Sequence, residues 1–195
     1  MRVLLHVCCG PCAVLPIQRL LDEGHELSGF FFNPNIHPLA EYLRRQEGAA
    51  QVAEKYGLKM YWATEAADYN TAAWLRLAGG PDGDFSAPGR CRKCWAERLG
   101  RVCALAALEK FEAFSTSLLY SRRQRHAEIA ALAADFSRGG IGWPLFLYRD
   151  FRADWKAGIE LSKAWGIYRQ QYCGCIFSEN DRYGRDLQRS NPPMI

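Results

Sequence analysis

Short apolar runs alternate along this chain with longer stretches in which apolar residues recur every three or four positions. Residues 2–8, "RVLLHVC", form an unbroken apolar run of the kind that serves a strand buried on both faces. Residues 12–23, "CAVLPIQRLLDE", read as a helix ended by Gly24, with Pro16 in the early turns where proline is best tolerated. "HELSGFFFN" (25–33) is a second buried strand, closed by the breaker "NPN". Residues 38–56 predict a long helix with Leu39, Leu43, Ala50 and Ala53 on one side, Pro38 at its start and Gly57 at its stop. "KMYWAT" (59–64) is a third strand. A helix around "NTAAWLRLAGG" and a Gly/Pro/Asp-rich loop (79–90) follow. Residues 91–111 then predict a helix, 113–119 a strand, 122–136 a helix, 141–151 a strand and 153–166 a helix. "IYRQQYCGCIFSEN" leads into a polar tail, residues 181–195.

Strands alternating with helices predict a three-layer α/β/α fold with a mostly parallel sheet, one domain over 1–195 with an insertion near 79–95. Such sheets bind ligands outside the carboxyl ends of their strands. "HVCCGPC" (6–12) falls at the end of the first strand, where a nucleotide-binding relative would carry its phosphate loop. Neither GxGxxG nor GxxxxGK[ST] occurs anywhere, so cysteines stand in that place.

The chain has 195 residues, 49% of them hydrophobic, enough for one full core. A net charge of +4 permits a nucleic-acid partner without requiring one. No run approaches the ~20 apolar residues of a transmembrane helix, and His6, the cysteines and Pro11 interrupt the start too early for a signal peptide. The expectation is a cytoplasmic protein without membrane association, in a reducing compartment where clustered cysteines mean metal or redox chemistry.

Of the eight cysteines, seven fall in three clusters: Cys8, Cys9 and Cys12; Cys91 and Cys94; Cys173 and Cys175. On a helix start, Cys91 and Cys94 share a face and can reach one metal or one cluster edge. A zinc site remains open for them, since such pairs are commonly half of one. The single glycine between Cys173 and Cys175 lets the backbone bend, and such a pair can close a strained, easily reduced disulfide. Seven thiols exceed the four ligands of one tetrahedral zinc. Two metals, or one metal centre beside a redox dithiol, account for the number better, and a [4Fe–4S] cluster also takes four thiolates.

Cys103 lies nine positions beyond Cys94, which at about 100° per residue puts it on nearly the opposite helix face, as a core thiol. His6 is expected in the core, His37 in a loop beside the site and His126 at a basic helix start. Arginines recur beside aromatics in "YLRRQ", "GRCRKC", "SRRQRH" and "YRDFRADWK". Guanidinium forks suit phosphates and aromatic faces stack on bases, so Arg44, Arg90 and Arg152 are candidate substrate contacts.

Taken together, "LLHVCCGPC", "GFFFNPNIHPLAEYLRR", "RCRKC", "FLYRDFR" and "YRQQYCGCIFSEN" resemble, in order, the cobalamin-independent epoxyqueuosine reductase family from residue 2 to about 180. The resemblance implies a fold like the adenine-nucleotide α-hydrolase (HUP) proteins. It implies reduction of epoxyqueuosine at the tRNA wobble position to queuosine, the last step of queuosine biosynthesis. It implies a [4Fe–4S] cluster held by Cys8, Cys9, Cys91 and Cys94, a redox-active pair Cys173/Cys175, and a second iron ion to which Cys12 is a candidate ligand. An electron donor outside the chain is required. Gly10 stands where alanine is usual, a change expected only to loosen the loop. Asp150, His37 and the thiols are candidates for the general acid that protonates the epoxide oxygen. Two rivals stay in view: a zinc-stabilised RNA-binding module without catalysis, and an ATP-dependent tRNA thiolase on a similar fold, against which the missing phosphate loop argues.

Overall fold

A computed structural model of the chain describes residues 1–63, 65, 68–140 and 142–190, with side chains described to residue 184. The elements in order are β1 (Arg2–His6), α1 (Gly10–Asp22), β2 (Glu26–Phe31), α2 (Leu39–Tyr56), β3 (Lys59–Trp62) and α3 (Thr71–Gly79). They continue with α4 (Gly89–Leu108), β4 (Ala113–Thr116), α5 (His126–Ser137), β5 (Leu145–Phe146), α6 (Trp155–Ala164) and α7 (Ile176–Ser190). Residue 64 at the end of the third expected strand, residue 141 at the start of the fifth and residues 191–195 of the expected tail lie outside the described residues.

Hydrophobic burial on both faces makes the central strands apolar throughout: Val3, Leu4 and Leu5 of β1 and Phe114 of β4 are fully buried. The five strands form one parallel sheet in the order β3-β2-β1-β4-β5. Val3 lies opposite Leu27 on one side and Ala113 on the other. The chain winds outward from β1 to β3, then returns across β1 to place β4 and β5. That reversal opens a crevice at the carboxyl ends of β1 and β4, the usual ligand position of doubly wound sheets. Helix α1 packs on α2 and α6, and α4 packs on α3, α5 and β1.

Three expectations need correction. Leu39 and Leu43 do not face the core; both are 51% exposed, and α2 turns Tyr42, Arg45, Ala49 and Val52 inward instead. The fifth strand shrinks to Leu145–Phe146, because Pro144 offers no ladder donor before it and irregular chain follows. The polar residues from Asp181 continue α7 as a helix to Ser190.

Gly10 is likewise not a loosening of the loop. It opens α1 and is buried, and a methyl group there would meet the Gly48 carbonyl oxygen of α2 and approach Ile167 Cγ2 to 2.9 Å. Glycine is what permits the close crossing of α1 and α2.

Candidate metal centre

The loop after β1 carries the first thiol group. Cys9 is the N-cap of α1 in extended conformation, and Pro11 supplies the fixed φ that suits a first turn. Cys12 falls at the end of that turn, so the chain folds back over Cys8 and Cys9. The three sulfurs all lie within 4.8 Å of one another, at the helix end where free backbone N–H groups favour negative charge. The Ser117 hydroxyl, just past β4, accepts from the Cys8 backbone N–H at 2.9 Å, tying this loop to the neighbouring strand.

Protons are shared unevenly among these thiols. Hydrogen bonds donated by Cys12, Cys9 and Ser117 hold Cys8 well below the ordinary thiol range. Desolvation pushes Cys9 up, and Cys12 rises because it donates to Cys8. The Gln170 side-chain N–H₂ donates to Cys9 Sγ at 2.9 Å and to Cys12 Sγ at 3.5 Å.

Helix α4 begins at Gly89, so Cys91 and Cys94 occupy its first two turns. Cys94 is buried in a small cluster with Trp74, Ala78 and Cys175. Cys175 precedes α7, and its sulfur accepts from the Ser178 backbone N–H at 3.4 Å, in the manner of a helix cap. Gly174 has φ +139, a conformation that strains an L side chain, and a Cβ there would crowd Asn35 Nδ2 at 3.0 Å. Glycine is required between these two cysteines.

Cys8, Cys12 and Cys173 line one cavity of about 670 Å³. Cys173 is open to it, yet the recess is deep enough that desolvation pushes its thiol up to about 11, with Arg98 opposing. Gln124 donates to Cys173 Sγ at 3.7 Å, its own carbonyl oxygen held by the Trp95 indole N–H at 2.9 Å. Arg45, Arg98, Arg122, Arg123, Arg169 and Arg182 also line the cavity, against one carboxylate, Asp181. Cys103 faces away, buried in the main core with its sulfur 3.8 Å from the Phe136 carbonyl oxygen, as its helical position predicts.

Several candidates fall elsewhere. Asp150 lies outside the cavity lining, forked by Arg152 at 2.6 to 3.1 Å. The Arg152 guanidinium pulls the Asp150 carboxyl to about 2, so it carries no proton near neutrality and is unsuited to be the general acid. The same fork commits Arg152 to Asp150. Arg44 is exposed over the Tyr168 ring, and Arg90 is spent on the Phe85 carbonyl oxygen and the Phe177 ring. His37 lies outside the cavity lining yet beside the Cys173–Cys175 loop, as expected: its backbone N–H donates to the Gly174 carbonyl oxygen at 2.8 Å, and burial against Trp74 lowers its ring pKa.

The residues missed are Arg45, Arg98, Gln124 and Gln170. Arg45 pairs with Glu41 at 2.7 Å inside the protein and donates to the carbonyl oxygens of Cys173 and Tyr172 at 2.9 and 3.1 Å. Their only sequence signal is position: Arg45 one residue from Arg44, Arg98 one helical turn past Cys94, and Gln170 in the polar run before Cys173.

The donor set fits an iron–sulfur cluster or a soft metal: grouped sulfurs, one already thiolate-like, beside buried cations.

The family model described as "Epoxyqueuosine reductase QueH" matches residues 3–181. A protein of that name from Dehalococcoides mccartyi is 32% identical, over 94% of this chain and 96% of its own. One from Acinetobacter baylyi is 34% identical over 92% and 81%, and one from Thermotoga maritima 33% identical over 92% and 91%. Among solved structures, the U34-tRNA thiolase NcsA of Methanococcus maripaludis, with its [4Fe–4S] cluster, superposes with a TM-score of 0.60 at 14% identity. That match covers 98% of this chain and 68% of the other, a likeness of fold that agrees with the HUP-like expectation.

Proposed function

The chain belongs to the epoxyqueuosine reductase QueH family, and from that premise we propose that it reduces the epoxide of epoxyqueuosine in tRNA to the alkene of queuosine. The observation that carries the reading is one cavity that combines thiols from both ends of the chain with a rim of arginines. Arg122, Arg123 and Arg169 line it with no carboxylate partner among the described residues, which suits RNA phosphate. A zinc-stabilised RNA-binding module finds no support among the relatives.

Deoxygenation takes two electrons and two protons and releases water. The dithiol Cys173/Cys175 can supply all four: both S–H bonds break, one S–S bond forms, and the epoxide oxygen leaves as water. Cys173 is the open member at the cavity, and its raised thiol keeps its proton at neutral pH, as a proton donor must. Gly174 gives the bend that lets the two sulfurs meet. An electron donor outside the chain restores the dithiol.

Cys8, Cys9, Cys91 and Cys94 are the residues that would hold a [4Fe–4S] cluster, with Cys12 left to ligate a second iron. A cluster so held supplies electrons singly, at a site whose thiols sit beside the dithiol. The closeness of Cys12 to Cys8 and Cys9 favours a second division, in which these three act as one ligand group.

Anaerobically purified protein should be brown and carry about four irons per chain, as a Cys₄ cluster requires. It should convert epoxyqueuosine-tRNA when given a reductant. Cys173→Ser should lose turnover and keep its iron. Zinc alone without visible absorbance would sink the cluster, and full activity in Cys173→Ser would remove the dithiol from the reaction.

A further inference from the structure

Arg98 is 2% exposed, and no carboxylate pairs with it among the described residues. A buried cation without a counter-charge is among the costlier arrangements in a protein. The equally buried Arg45 has Glu41, and the nearly as buried Arg90 is turned to the Phe85 carbonyl oxygen and the Phe177 ring. The Nε–H of Arg98 donates to the carbonyl oxygen of Cys94, one turn back on α4, at 3.2 Å. Its end reaches the wall of the cavity that Cys8 and Cys173 also line. The groups whose ionised form its charge favours are thiols, Cys94, Cys173 and Cys8, one from each of the three cysteine clusters.

We propose that Arg98 is the fixed counter-charge of the redox centre: a positioning residue that stabilises the thiolate-rich, reduced form of whatever Cys8 and Cys94 hold. The inference rests on the iron–sulfur reading above. The side chain is itself buried, on a helix whose Trp95, Leu99 and Val102 are core residues and which lies against β1. A charge held rigidly in a desolvated wall acts more strongly than one in water and needs no reorganisation when an electron arrives. Each electron added to the centre makes it more negative. A neighbouring cation therefore favours the reduced state and raises the potential.

The test compares native protein with Arg98→Gln, Arg98→Met and Arg98→Lys, all purified without oxygen. Iron per chain is measured first, then reduction is followed spectroscopically against applied potential. In the two neutral variants the reduced-to-oxidised ratio at the native midpoint should fall at least about tenfold, which is about 59 mV for one electron. Arg98→Lys, which keeps the charge, should stay within about threefold of native, or about 30 mV for one electron. Affinity for a tRNA anticodon stem-loop should be unchanged in all three. If the neutral variants cannot retain iron while Arg98→Lys does, the counter-charge is equally supported. Unchanged potential in the neutral variants overturns the proposal. So does a lysine variant as impaired as the neutral ones, because shape and not charge is then at stake. Weaker stem-loop binding at unchanged potential also overturns it, and assigns Arg98 to RNA phosphate. Native protein without iron would instead defeat the cluster reading on which the proposal stands.

Discussion

Arg45 donates to the carbonyl oxygen of Cys173 across 2.9 Å, so a helix early in the chain holds the backbone of the late Cys173–Gly174–Cys175 loop. The grip is extended: Glu41 takes the Arg45 Nε–H at 2.7 Å and the Tyr168 hydroxyl at 2.6 Å. Arg45→Met leaves Glu41 buried without its partner and should cost about 3–5 kcal/mol. Urea unfolding measures that loss, and iodoacetamide labelling of Cys173 should accelerate as the loop comes free. Labelling at the native rate would show that the loop keeps its shape without this contact.

Gly10→Ala is expected to destabilise the protein by about 1–3 kcal/mol, because the added methyl group meets the Gly48 carbonyl and forces α1 away from α2. The paired change Gly10→Ala with Ile167→Ala removes the Cγ2 contact but not the Gly48 carbonyl, so it should recover none of the backbone clash. Thermal denaturation of the single and double variants decides it. A neutral single variant would mean that the helices separate freely.

His6 sets a pH dependence of stability. The Phe32 carbonyl oxygen can only accept, so Nε2 carries the hydrogen, and Nδ1 accepts from the Thr116 hydroxyl at 2.9 Å. Thr116 Oγ1 in turn accepts from the Leu118 backbone N–H. The ring is thus satisfied in its neutral form, and burial lowers its pKa from 6.5 to about 4. The unfolded chain binds the proton first. The contribution is intact above pH 6.5 and drains as pH falls towards 4, a loss of about 3 kcal/mol. In urea titrations across that range, His6→Gln should flatten the fall relative to native, and a parallel fall would exclude His6 as its source.

Asp150→Asn should leave turnover unchanged, because its carboxylate faces Arg152 and not the cavity. The folded pKa of about 2 lies below the ordinary 3.8, so the pair contributes stability above pH 4 and loses it only as pH falls from there towards 2. The partial exposure of both groups keeps the effect small. A large drop in turnover with native substrate affinity would return Asp150 to the chemistry.

Cys103→Ala should cost about 1–2 kcal/mol by opening a small void in the core and leave iron content untouched. Iron loss in that variant would place the thiol at the metal centre.

The central strands were legible because burial on both faces writes itself as short apolar runs, "VLL" and "GFFF" among them. The thiol clusters were legible because their spacing in the chain reflects local turns: the first turn of α1, the first turns of α4, the bend at Gly174. What failed was one face of α2. Leu39 and Leu43 suggested a stripe that the fold leaves in solvent, and the arginines beside an aromatic in "YLRRQ" pointed to Arg44 where the fold turns Arg45 inward, about 100° away round the helix. Arg98, Gln124 and Gln170 owe their roles to partners far along the chain, and no local pattern marks them. The fork between Asp150 and Arg152 was local, yet two charged residues in "YRDFR" look the same whether they bind each other or a substrate.

The strand order carries a consequence for how the protein is made. The crevice beside β1 takes its thiols from the first twelve residues and from the turn before α7. A ribosome releases these in that order, so the first group emerges long before the last. The early sulfurs must be kept reduced and unclaimed through most of synthesis, and the complete site comes into being only when the final helix docks.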